Sequence, residues 1–106
     1  MRPLPELRLR FKKAFMHYYL EVCSASVATP TEAYETCAGF LEAWSREPGG
    51  SRTHRELDEE LARLEGEIEQ DLRSRYREKA PGCLERESLH LRFDECVRAA
   101  LGAGRR

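Results

Sequence analysis

Two helix-start motifs constrain the fold of this chain more than any other feature of its sequence. The segments Thr29–Glu32 and Thr53–Glu56 each begin with a threonine and end, three positions later, with a glutamate. The hydroxyl can accept a hydrogen bond from a free N–H of the first turn, while the glutamate bonds back to the N–H of the threonine. Pro30 suits a first helical position, which needs no N–H. These motifs predict that two helices begin near residues 30 and 53.

Apolar residues recur at spacings of three and four along four segments, which is the pattern of helices that bury one face. The predicted helices span residues 5–26, 30–46, 53–79 and 83–101, with a loop at 47–52. Gly102 is expected to cap the last helix, and residues 102–106 form a frayed tail. The apolar positions predicted to face inward are Leu4, Leu7, Phe11, Ala14, Phe15, Tyr18, Val22 and Ala25; Ala33, Tyr34, Cys37, Phe40, Leu41 and Trp44; Leu57, Leu61, Leu64, Ile68, Leu72 and Tyr76; and Leu89, Phe93, Cys96, Val97 and Ala100. Heptad spacing at the start of the third stripe is typical of coiled coils.

The length and composition favour one small all-α domain, covering residues 1–106. A chain of 106 residues with 41% hydrophobic residues can bury a core, and its net charge of −1 argues against wholesale disorder. No apolar run approaches the roughly 20 residues of a membrane span. We expect a small bundle of four helices, in which a long third helix pairs antiparallel with the fourth and the first two form a short helical head.

The first predicted helix is apolar over more of its circumference than one partner helix would bury. A second set of apolar residues lies outside its main stripe, so this helix is either the centre of the domain or a docking surface. Large aromatic residues often carry interface energy. We therefore predict a partner-binding surface, for another protein or a second copy of the chain, comprising Leu9, Met16, Tyr19, Leu20 and Trp44.

The sequence predicts a non-enzymatic protein–protein interaction subunit or adaptor of a larger complex, with no catalytic residue and no cofactor. It has no glycine-rich phosphate loop and no nucleophile elbow. The four cysteines, Cys23, Cys37, Cys83 and Cys96, are expected to be reduced thiols in apolar helix faces. Two disulfides, in any of three connectivities, would instead make the chain a redox-linked helical protein.

A metal-carrying helical protein is part of the same alternative. Glu87 and His90 form one Glu-x-x-His unit, whereas a di-iron bundle needs two such units, and no cysteine or histidine pair has zinc spacing. We therefore predict no metal site. His17 is expected at an interface or at the edge of the core, and His54 in solvent at a helix start.

Basic residues near the N-terminus and at the end of the third helix leave a further alternative, a nucleic-acid-associated accessory protein. Phosphate binding needs convergent cations, and charges two residues apart on a helix diverge, so the simpler interpretation is a solvated surface. We expect an intracellular protein of the cytoplasm or nucleus. A mitochondrial presequence is the second interpretation of the basic N-terminus.

Overall fold

The protein is a bundle of four α-helices, as the sequence predicts. The structure is a computed structural model and describes residues 4–23, 29–46, 54–76 and 86–103. Within these ranges the helices are α1 (Leu4–Cys23), α2 (Thr31–Ser45), α3 (His54–Tyr76) and α4 (Arg86–Ala103), and there is no strand. The predicted loop at 47–52 lies outside the described residues, and so do Thr53 and the ends predicted for the first and third helices.

The core is built from the predicted stripes of all four helices. Phe11 and Phe15 of α1 lie against Phe93 of α4, with ring centroids 5.7 and 5.3 Å apart, and Phe11 also stacks on Phe40 of α2 at 6.5 Å. The α3 residues predicted to face inward, Leu61, Leu64, Ile68 and Leu72, are buried, as are those of α4 from Leu89 to Ala100. The apolar spacing therefore identified the buried face of each helix.

The order in which the helices pack differs from the prediction. The closest backbone approaches are between α1 and α2 and between α2 and α4, while α3 approaches α1 and α4 less closely and α2 least of all. The third helix does contact the fourth, as expected, but this contact is not the most extensive one of the bundle. Small buried residues at the α2 positions Ala33 and Cys37 allow close approach, whereas the leucines and isoleucine of α3 hold its neighbours farther away.

Two predicted helix boundaries also differ from those observed. The N–H of Tyr34 donates to the carbonyl of Pro30 at 2.9 Å, which makes Pro30 the cap and Thr31 the first helical residue. The Thr29 hydroxyl is thereby displaced by one position from the cap that the motif predicts. At the other end of the chain, Gly102 and Ala103 continue α4, so Gly102 does not end the helix.

Candidate interaction surface on α1

The five residues predicted to bind a partner do not form one exposed surface. Tyr19 is almost completely buried, and Met16 and Trp44 are also buried. Leu20 is half-buried against the core, and only Leu9 is exposed, at 48%. As an exposed docking face, the predicted set is therefore wrong for Met16, Tyr19 and Trp44.

All three side chains belong to the core cluster, and two of them also pack on an aromatic ring one turn earlier in the same helix. The ring of Tyr19 stacks on Phe15 with centroids 6.0 Å apart, and Trp44 packs on Phe40 at 6.2 Å. Because α1 contacts all three other helices, a wide part of its circumference is buried within the chain. This geometry agrees with the alternative that the first helix is the centre of the domain.

Ion pairs line the contact between α1 and α3. The Nε atom of Arg8 donates to Glu60 at 2.6 Å, and its two terminal nitrogens donate to the two carboxylate oxygens of Glu67. One turn further along α1, the Nζ atom of Lys12 lies 2.7 Å from Asp71 and 3.7 Å from Glu67. As the numbers rise together on both helices, α1 and α3 run in the same direction at this contact.

The pKa values of these groups shift as expected for paired charges. Hydrogen bonds from Arg8 lower the pKa of Glu67, and the hydrogen bond from Lys12 lowers that of Asp71. Burial by itself would raise the pKa of Glu60, but hydrogen bonds from Arg63 and Arg8 outweigh it, and the pKa is lowered. The pKa of the Arg8 guanidinium is raised, chiefly by its hydrogen bond to Glu67. Arg8 and Lys12 are thus paired within the fold.

The charge spacing of the two helices carries a signal for this contact. Arg8 and Lys12 are four residues apart at one edge of the apolar stripe of α1, and Glu60, Glu67 and Asp71 follow one edge of the α3 stripe at spacings of seven and four. Each set lies on one side of its own helix. Which helices face each other, and in what register, does not follow from such spacing alone.

An outer edge of α1 stays accessible after α3 has covered its neighbouring face. Leu9, Arg10, Lys13 and His17 are exposed there, and Leu20 is half-buried. Eleven residues are close to three helical turns, so Leu9 and Leu20 lie nearly on one line about 16 Å apart. We call Leu9, Arg10, Lys13 and Leu20 the α1 edge. It combines two apolar side chains with two cations.

The two histidines whose side chains are described, His17 and His90, lie next to carboxylates. His17 is exposed rather than at the edge of the core, and its Nε2 atom lies 2.8 Å from Glu21. His90 of α4 lies 2.8 Å from Glu65 of α3 and so joins these two helices. Among the described residues no group of three or more His, Cys, Asp or Glu side chains is placed to hold a metal ion. The side chains of Glu87 and His54 lie outside that description.

The cysteines divide between the core and its margin. Cys37 and Cys96 are fully buried free thiols on neighbouring helices, and Cys23 is a half-buried free thiol. Cys83 lies outside the described residues. A hydrogen bond with Cys96, and then burial, raise the pKa of the Cys37 thiol well above its usual range. A thiol in this environment is a poor nucleophile in the native state.

None of the four helices, within the residues that the structure describes, combines the length and apolar character that crossing a bilayer requires. Comparisons of the chain with protein-family models, curated proteins and solved structures gave no match.

Proposed function

We propose that this chain is a non-enzymatic helical interaction module that binds a protein partner through the α1 edge. The observation that carries the proposal is the exposure of Leu9 in the second turn of a helix whose leucine, valine, methionine and aromatic side chains are otherwise buried or half-buried. An exposed leucine alone is common on protein surfaces. Leu9 differs from such a leucine in its neighbours on the same edge of the helix.

The other exposed leucines provide the comparison. Among the described residues, Leu91 and Leu101 of α4 are also exposed, at 62% and 40%. The residues three and four positions from Leu91 along α4 include Ser88, Asp94 and Glu95, which are polar. Leu9 also has charged residues at these positions, Glu6, Lys12 and Lys13, but it lies nearly on one line along α1 with Leu20, and the aliphatic stem of Lys13 can cover apolar surface.

The charges of the α1 edge define the chemistry of the partner. Arg8 and Lys12 are paired with α3, whereas Arg10 and Lys13 are exposed on the outer side of α1. An amphipathic helix with apolar residues one or three turns apart and acidic residues beside them would complement Leu9, Leu20 and these two cations. We therefore propose an acidic amphipathic segment of another protein as the ligand.

The substitution Leu9→Glu tests the proposal, with Leu91→Glu as its matched control. Both replace an exposed leucine with a carboxylate, so neither should unfold the bundle, and far-UV circular dichroism would verify this. Equal amounts of the unaltered chain and the two variants would be used for quantitative affinity capture from an extract of the source cells. We expect one acidic partner to be retained by the unaltered chain and Leu91→Glu, and lost by Leu9→Glu.

Light scattering on a sizing column, in reductant, would precede the capture experiment. A dimer of the unaltered chain that Leu9→Glu dissociates and Leu91→Glu preserves would replace the foreign partner with a second copy of this chain. Equal recovery of every captured protein by the two variants, with a monomer in all three samples, would refute binding through the α1 edge.

A further inference from the structure

Two cysteine side chains meet in the core where α2 packs against α4. Cys37 and Cys96 are both fully buried, both are free thiols, and they are hydrogen-bonded to each other. Ala33 and Ala100, each one helical turn from one of these cysteines, are buried as well. Small side chains on both helices permit the close backbone approach of α2 and α4.

Two thiols in side-chain contact between closely packed helices are candidates for a disulfide. The two Cα atoms of a disulfide are usually about 4.4–6.8 Å apart, which only closely packed elements provide. Of the three connectivities that four cysteines allow, the structure favours the one that includes the pair Cys37 and Cys96. In the sequence these two residues are far apart, and nothing in their spacing singled them out.

We propose that Cys37 and Cys96 are a peroxide-oxidisable thiol pair that closes to one disulfide between α2 and α4. One thiolate attacks an oxygen of hydrogen peroxide, which breaks the O–O bond and gives a sulfenic acid and, with a proton, one water. The second thiol then attacks the sulfenic sulfur, forms the S–S bond and releases a second water. The two thiols lose two electrons and two protons in total, and the peroxide is reduced.

Burial determines the kinetics of this reaction. The reactive species is the thiolate, and the pKa of the Cys37 thiol is raised by its hydrogen bond to Cys96 and by burial. Oxidation therefore proceeds through local opening of the α2–α4 contact and speeds up as the pH rises. Because the partner thiol is adjacent, it reacts with the sulfenic acid and forms the disulfide before a second peroxide can oxidise the sulfenic acid further.

The experiment uses the full chain with all four cysteines. After reduction and removal of the reductant, the protein is treated with hydrogen peroxide, then denatured and alkylated with N-ethylmaleimide. Intact-mass measurement and tryptic mapping are expected to show the loss of two hydrogens and a cross-linked pair of peptides that contain Cys37 and Cys96. Dithiothreitol should restore two alkylation sites, and the oxidised chain should keep its helicity and show a higher Tm.

The double variant Cys23→Ser/Cys83→Ser is the control, because Cys37 and Cys96 are its only thiols. It should form the same link at a similar rate, while the converse variant Cys37→Ser/Cys96→Ser should not form an intramolecular disulfide at that rate. Three results would each overturn the proposal. They are a link between other cysteines in the unaltered chain, over-oxidation of Cys37 or Cys96 without a link, and a link that forms only in unfolding concentrations of urea.

Discussion

Replacing Gly66 with alanine should stabilise this protein. Gly66 lies in the middle of α3, is exposed, and a Cβ atom built on it meets no atom within 4 Å. The backbone there is already helical, so the new methyl group causes neither strain nor a clash. The full difference in helix propensity between glycine and alanine, about 0.8–1 kcal/mol, should therefore appear as added stability.

Urea unfolding followed by far-UV circular dichroism measures this change. We expect the free energy of unfolding to rise by about 1 kcal/mol at an unchanged m-value, and Tm to rise by roughly 4–8 °C for a chain of this size. Part of the gain comes from the unfolded chain, because alanine restricts it more than glycine does.

Two other glycines serve as controls for Gly66→Ala. Gly39 in α2 and Gly102 in α4 also leave room for a Cβ atom. Gly39→Ala should give a similar gain, whereas Gly102→Ala, one residue from the end of the described helix, should give less because terminal turns fray. A gain for Gly39→Ala with none, or a loss, for Gly66→Ala would refute the placement of Gly66 on an open helix surface.

Three further substitutions or conditions test other parts of the structure. Leu64→Ala should lower the unfolding free energy, measured by urea unfolding, by about 2–5 kcal/mol, because Leu64 is fully buried. A loss below about 1 kcal/mol would contradict this burial. Met16→Glu should abolish native helicity in circular dichroism, since it buries an unpaired carboxylate; retained helicity would place Met16 at the surface. The lowered pKa values of Glu67 and Asp71 mean that their contribution to stability is present above their ordinary values of 4.5 and 3.8 and is lost as the pH falls through the lower folded-state values. Glu67→Gln should therefore weaken the acid dependence of Tm, and an unchanged acid limb would show that the pair with Arg8 does not form in solution.

Local pattern predicted the helices and their inner faces well. Each buried stripe was read from apolar spacing, because a helix brings residues three and four apart onto one face whatever its partner is. The position of Pro30 shows the limit of this reasoning. A capping motif allows two start sites one residue apart, and the backbone bond from Tyr34 to Pro30 selects the later one.

Relations between helices could not be predicted in the same way. The expected pairing of α3 with α4 was based on length and regularity, whereas close packing follows small side chains such as those of Ala33 and Cys37. Intrahelical ion pairs show the same effect. A spacing of four along α3 allows the pairs Glu59–Arg63, Glu69–Arg73 and Asp71–Arg75. Glu69 and Arg73 do pair, but Asp71 pairs with Lys12 of α1, and Arg63 pairs with Glu60 at a spacing of three.

The candidate site illustrates how a wide apolar circumference should be interpreted. Such a helix can face a partner protein or two further helices of its own chain, and its sequence is the same in both cases. Charged residues beside the apolar positions help to distinguish a face that binds a partner protein from one that packs within the chain. Arg8 and Lys12, four residues apart beside Tyr19, have acidic counterparts at matching spacings on α3, so that face of α1 is satisfied within the chain. Arg10 and Lys13 are exposed beside Leu9. A helix face whose charged residues form ion pairs within the fold belongs to the core. The exposed cations and leucine of α1 have no such role among the described residues, and we therefore propose that a partner binds at their edge of the helix.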